Sequence, residues 1–236
     1  MEMQPPESRK GKIHLVECPR DAMQGWKRQI PTAQKIHYLN ELLQVGFDTL
    51  DFGSFVSPKA IPQMADTKEV IAGLNVSATN TRLLAIVANL RGAEEAAVYD
   101  EISFIGFPFS ISETFQQRNT NSSISESLDR VKRIQELCVK QEKELVIYIS
   151  MAFGNPYGDA YSKEIALDWA IEISSLGIQI LSLADTVGLA TPEQVFELTE
   201  YLVKELPNHE IGVHLHSRPE NRAKKLEAAL RAGCLR

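Results

Sequence analysis

One supersecondary unit recurs along this chain, and the recurrence constrains the fold more than any single residue does. Ile13 to Cys18 is a short apolar run, and Thr32 then opens a stretch with Ile36, Leu39, Leu42 and Leu43 at helical spacing up to Gly46. Strand-like residues return from Phe47 to Phe55, followed by helical material through Leu74. A strand is expected over 83–88, a short helix over 91–99 and a fourth strand over 101–107. Ser123 and Glu126 have the spacing of a capping box and open a helix through Val131, Ile134 and Leu137. Strands are then expected over 145–151, 178–183 and 211–216. The helix over 162–176 stops at Gly177, and Thr191-Pro192-Glu193 starts one that ends near Pro207. A last helix spans 221–232.

Strands alternating with helices through short connections imply a parallel sheet with right-handed crossovers. Two architectures satisfy this, an open doubly wound sheet and a closed α/β barrel. No glycine-rich phosphate loop follows any strand, which weighs against the nucleotide-binding open sheet. Seven units, most strands ending in a polar residue, favour the TIM (β/α)8 barrel, which takes about 250 residues. The sequence stops at Arg236, where an eighth strand would begin, so the eighth unit is expected to be largely missing and the chain truncated. Such a barrel would leave two parallel edges unpaired. The expected layout is a polar arm over 1–12 and one catalytic domain over 13–236.

Charge and cysteine usage exclude several functions. A net charge of -6 spread along the chain argues against nucleic acid, and Lys132-Arg133 and Lys224-Lys225 read as solvated helix faces. No apolar run approaches membrane-spanning length, and the start lacks an apolar signal core, so a cytoplasmic protein is expected. Cys18, Cys138 and Cys234 are isolated, which supports neither disulfides nor a zinc ribbon.

The chemistry concentrates in Val213-His214-Leu215-His216. A strand has period 2, so both imidazoles project from one face. Imidazole is the commonest side-chain ligand for divalent metals, and two need a third partner. In a barrel, functional groups gather at the C-terminal strand ends, and strand one ends in Cys18-Pro19-Arg20-Asp21. Asp21 with His214 and His216 makes a mixed oxygen and nitrogen set suited to Mg²⁺ or Mn²⁺ and conceivable for Zn²⁺ or Fe²⁺. Alone, Arg20-Asp21 would read as a local ion pair. Asp51 within strand two and Asp185 at the end of strand six are costly to bury unless paired. They either orient Arg20 or water on the metal, or serve structure, with Asp51 paired to a lysine and Asp185 capping a loop.

These residues resemble a known family. Pro19-Arg20-Asp21-Ala22-Met23-Gln24, the stretch from Ser54 to Met64, Asp185 to Pro192 and His214-x-His216 are similar to the 3-hydroxy-3-methylglutaryl-CoA lyases, metal-dependent TIM-barrel enzymes. Arg-Asp and His-x-His are shared with Claisen synthases, whereas Ser-Phe-Val-Ser-Pro-Lys through Pro-Gln-Met is more specific to the lyases. The resemblance implies retro-Claisen cleavage of hydroxymethylglutaryl-CoA to acetyl-CoA and acetoacetate, as in leucine degradation and ketone-body formation. It implies that Asp21, His214 and His216 hold the metal and that Arg20 stabilises the thioester enolate. Gln24 matches a site position, Asp51 an acidic position, and Lys27 a basic position that could meet substrate phosphate. A homodimer is also implied. The alternatives are a synthase of the isopropylmalate or homocitrate type, or an inactive fragment that only binds metal or CoA.

Three departures stand out. Ser217 follows His216 where the family usually has an acid, and Ala22 replaces a glycine after Arg-Asp, which matters if that turn needs positive φ. The family's asparagine ligand and catalytic cysteine would lie beyond Arg236, and none of the three cysteines present takes that role.

Overall fold

The computed structural model describes residues 11–236. The expected polar arm over 1–12 lies, as far as residue 10, outside the described residues. The chain divides into two compact units, one of residues 14–107 and 133–145, the other of 11–13, 108–132 and 146–236.

In the first unit, β1 (Val16–Glu17) leads into α1 (Pro19–Gln24) and α2 (Thr32–Leu43). The next elements are β2 (Thr49–Ser54), a 3₁₀ turn at Pro62–Met64, α3 (Thr67–Ala72), β3 (Arg82–Ile86), α4 (Leu90–Ala97) and β4 (Ile102–Ser110), which ends in the other unit. The strands pair in parallel, with Val16 opposite Thr49, Leu50 opposite Leu83 and Leu84 opposite Phe104. Every residue of β2 is buried, as befits a strand covered on both faces. α2 buries Lys35, Leu39 and Leu43, a stripe at spacing four. α4 starts where the Asn89 side chain accepts the Gly92 N–H at 2.9 Å.

The second unit carries α5 (Glu113–Thr120), the start of α6 (Ile124–Lys140), most of β5 (Glu144–Ser150), α7 (Lys163–Ser175), β6 (Ile180–Asp185), α8 (Pro192–Glu205), β7 (Glu210–Leu215) and α9 (Arg222–Arg231). The capping boxes form as their sequences require. Glu126 N donates to Ser123 Oγ at 3.1 Å while Ser123 N donates to Glu126 Oε2 at 2.7 Å. Thr191 and Gln194 do the same for α8 behind Pro192. Gly177 after α7 has φ +82°. Tyr148 pairs with Ser182, and Ala184 with His214, again in parallel.

The described strands are hydrogen-bonded in chain order from β1 to β7. A doubly wound sheet reverses its strand order at a switch point, so this order rules that architecture out. Sequential parallel strands, each followed by a helix, are seven of the eight units of a TIM (β/α)8 barrel. The stretch expected to begin an eighth strand bonds the edge of β7: Leu235 N donates to Ile211 O at 3.2 Å and Val213 N to Arg236 O at 2.8 Å.

Three elements differ from the sequence reading. β1 is two residues long where six were expected, because Pro19 opens α1 at once. α1 and α5, six and eight residues long, were not anticipated, being too short to show a periodic stripe. Contact demands glycine at position 92, where a Cβ would lie 2.7 Å from the Phe55 carbonyl oxygen, whereas one on Gly25 would meet nothing within 4 Å. Gly92→Ala should therefore destabilise the fold by about 1–3 kcal/mol. Gly25→Ala, at φ −84°, should stay within about 0.5 kcal/mol; denaturant melts of both variants measure the difference.

Candidate functional site

α1 follows β1 directly, and its first turn carries the charged pair. Arg20 is buried and forks onto Asp51 of β2, with Nε 3.1 Å from both Oδ1 and Oδ2 and Nη2 2.6 Å from Oδ2. Its Nη1 donates to Asp21 Oδ1 at 3.1 Å and to Gln24 Oε1 at 2.9 Å, and Gln24 Nε2 donates to the same Asp21 oxygen at 3.0 Å. Asp51 is 0% exposed. The cation beside it is Arg20, not the lysine that sequence offered as the structural alternative. Arg20, Asp21, Gln24 and Asp51 are thus one hydrogen-bonded cluster. Lys27 stands exposed in the connection to α2, outside that cluster. Ala22 lies inside α1 and is not among the residues with positive φ, so the missing glycine imposes no strain there.

In the other unit, His214 on β7 and His216 just past its end have ring centroids 5.3 Å apart. Tyr148 of β5 meets His214 edge-on, at 5.5 Å and 83°. Ser217, in the usually acidic position, turns its hydroxyl toward the Leu215 carbonyl at 3.5 Å. Asp185 closes β6 and accepts Lys225 Nζ at 2.7 Å and Ala190 N at 3.2 Å. The same ammonium donates to the His216 carbonyl at 3.1 Å. Asp185 therefore reaches the backbone of a candidate ligand through Lys225.

The reading of Lys224-Lys225 as a solvated face holds for Lys224 and fails for Lys225, whose side chain is 0% exposed. The signal was present. Lys225, Ala228, Ala229 and Ala232 are spaced i, i+3, i+4 and i+7 along the buried stripe of α9, and a buried ammonium needs a carboxylate.

Asp21 in the first unit, and His214 and His216 in the second, each offer one ligand atom. Imidazole nitrogens and a carboxylate oxygen are donor types that divalent ions accept. Burial pushes the Cys138 thiol up to about 12 and that of Cys234 to about 11, and burial with the Asp51 carboxylate raises Cys18 further still.

A sequence model of the HMGL-like family matches residues 13–236. A 3-hydroxy-3-isohexenylglutaryl-CoA/hydroxy-methylglutaryl-CoA lyase of Pseudomonas aeruginosa is 36% identical over 208 residues, 87% of this chain and 68% of that protein. The cytoplasmic 3-hydroxy-3-methylglutaryl-CoA lyase of Rattus norvegicus is 34% identical over 207 residues, 86% of this chain and 59% of the rat protein. The chain thus spans between half and about two thirds of the length of these relatives. An HMG-CoA lyase of Acinetobacter baumannii, solved in complex with coenzyme A and 3-methylmalate, superposes with a TM-score of 0.88 at 27% identity, over 95% of this chain and 73% of that one. No helix among the described residues is long and apolar enough to cross a membrane.

Lys225→Met leaves buried Asp185 without its ammonium partner and should cost about 3–5 kcal/mol, whereas Lys225→Met with Asp185→Leu should regain most of it, as read by guanidinium unfolding. Native Cys138 and Cys234 should resist iodoacetamide at pH 8 and react once unfolded. Their folded values lie above the ordinary 9.0, so the stability they contribute is complete below pH 9 and is lost as pH rises toward 11 and 12.

Proposed function

Because the chain belongs to the HMGL-like family, we propose that it cleaves 3-hydroxy-3-methylglutaryl-CoA to acetyl-CoA and acetoacetate with the help of a divalent metal. One observation supports this above the others. Arg20, held in place by a buried carboxylate, also touches Asp21 at 3.1 Å, so a permanent cation sits beside a candidate metal ligand.

Asp21, His214 and His216 are the residues proposed to hold the ion, Mg²⁺ or Mn²⁺. Bound there, it would supply Lewis acidity that lowers the pKa of the substrate's tertiary hydroxyl. The tertiary hydroxyl gives its proton to solvent, and as the carbon–carbon bond breaks its oxygen becomes the new carbonyl while the electron pair moves onto the thioester as an enolate. Arg20 stabilises that negative charge, since a guanidinium holds its proton at any working pH. Asp51 fixes the fork of Arg20, and Gln24 orients both Arg20 and Asp21. Asp185 acts through Lys225 on the backbone of His216. Lys27 meets the phosphates of the CoA moiety. The enolate then takes a proton from an acid that is none of Cys18, Cys138 and Cys234.

The relatives named above are lyases, which favours cleavage over condensation with a 2-oxo acid. A CoA thioester as substrate, a cytoplasmic location as in the rat relative's name, a homodimer and a place in leucine breakdown belong to the same proposal.

The test is acetoacetate release from hydroxymethylglutaryl-CoA with Mg²⁺ or Mn²⁺, for this chain and for one extended in its own reading frame to the length of its relatives. Turnover by the extended chain should fall at least about 100-fold in Asp21→Ala and in His214→Ala, within the range lost with oriented catalytic groups. An extended chain that binds metal and releases no acetoacetate contradicts the substrate.

A further inference from the structure

The Pro62-Gln63-Met64 turn belongs to the stretch that set the lyase resemblance apart, and the catalytic cluster makes no use of it. Its glutamine does something specific. Gln63 is buried and uses both ends of its amide on one distant loop: Nε2 donates to the Trp26 carbonyl at 3.2 Å and the Arg28 carbonyl at 3.0 Å, while Oε1 accepts Ile30 N at 2.9 Å. Three bonds thus hold the backbone on either side of Lys27. Gln63 is itself held, because the buried Lys35 ammonium donates to its backbone carbonyl and pairs with Asp66 at 2.6 Å, which also accepts Thr32 Oγ1 at 2.7 Å.

The clamped loop exposes Trp26, Lys27, Arg28 and Gln29 to solvent. It leaves the C-terminal end of α1, the helix that carries Arg20 and Asp21. A substrate whose reacting end meets Arg20 and whose other end carries phosphates is matched here by two adjacent cations, a point charge and a guanidinium fork. We infer that Gln63 is a positioning residue for the nucleotide end of an acyl-CoA substrate: it pre-orders the loop that presents Lys27 and Arg28, and so sets affinity for the phosphate-bearing part without touching the reacting carbons. This rests on the lyase reading above. Pre-ordering removes the entropy loss that binding a polyanion to a mobile loop would incur, so its loss should appear in KM rather than kcat.

The experiment compares two thioesters on the metal-loaded enzyme extended to the length of its relatives. One is hydroxymethylglutaryl-CoA; the other is hydroxymethylglutaryl-pantetheine, which lacks every phosphate. Gln63→Glu keeps the size and the bond to Ile30 N but turns a carboxylate oxygen toward the Trp26 and Arg28 carbonyls; Gln63→Met removes all three bonds. Both variants should raise KM for the CoA thioester by about tenfold, leave kcat within about twofold and leave KM for the pantetheine thioester unchanged, the scale of two or three lost hydrogen bonds. A KM that rises equally for both thioesters, or for neither, overturns the inference. A wild-type enzyme that cleaves neither thioester overturns the lyase reading instead, and a Lys27→Ala/Arg28→Ala double variant that leaves the two KM values in their wild-type ratio removes the loop's role.

Discussion

A carboxylate with no exposed surface cannot remain charged in a strand unless a cation is brought to it, and Asp51 is such a group. Arg20 meets that need, and the local structure follows. α1 has to start immediately after β1 for Arg20 to reach β2, which is why β1 is short and Pro19 stands at the first helical position. Once Arg20 is anchored, its remaining nitrogen reaches Asp21 and Gln24, one residue and one helical turn on. The ion pair therefore orients the side chains from which the chemistry is proposed. β6 repeats the arrangement: Asp185 is matched by Lys225 of α9, and the ammonium carries the contact on to the His216 carbonyl.

The fold was largely legible because its signals are local. Caps at Ser123 and Thr191 sit where their sequences place them, since a side-chain oxygen and an orphan N–H three residues on need no tertiary help. Alternation of strand and helix left two strand orders open, and the lack of a glycine-rich phosphate loop with the number of units favoured the sequential one that is observed. The short elements escaped, because six residues of α1 complete too few turns to display a stripe, and because pairing of β1 is limited by the proline after it.

The site was legible where strand period applies and obscure where contacts are distant. His214 and His216 share a face by geometry alone, and Asp21 follows from where barrel strands end. Lys225 was misjudged from its charge although its spacing with Ala228 and Ala229 marks the buried stripe. Gln63 could not have been found by pattern: its partners lie 33 to 37 residues away and are backbone groups, which leave no mark in the sequence. Polar residues that hold loops through main-chain atoms are invisible until the backbone is placed.

We propose that Asp21, His214 and His216 hold one divalent ion. Titration of Mn²⁺ followed by electron paramagnetic resonance reads this directly, independent of turnover. One bound Mn²⁺ per chain is expected in the parent, with loss of that site in Asp21→Asn, His214→Ala and His216→Ala variants that unfold at the parent's temperature. Mn²⁺ binding of unchanged stoichiometry and affinity in all three would contradict it.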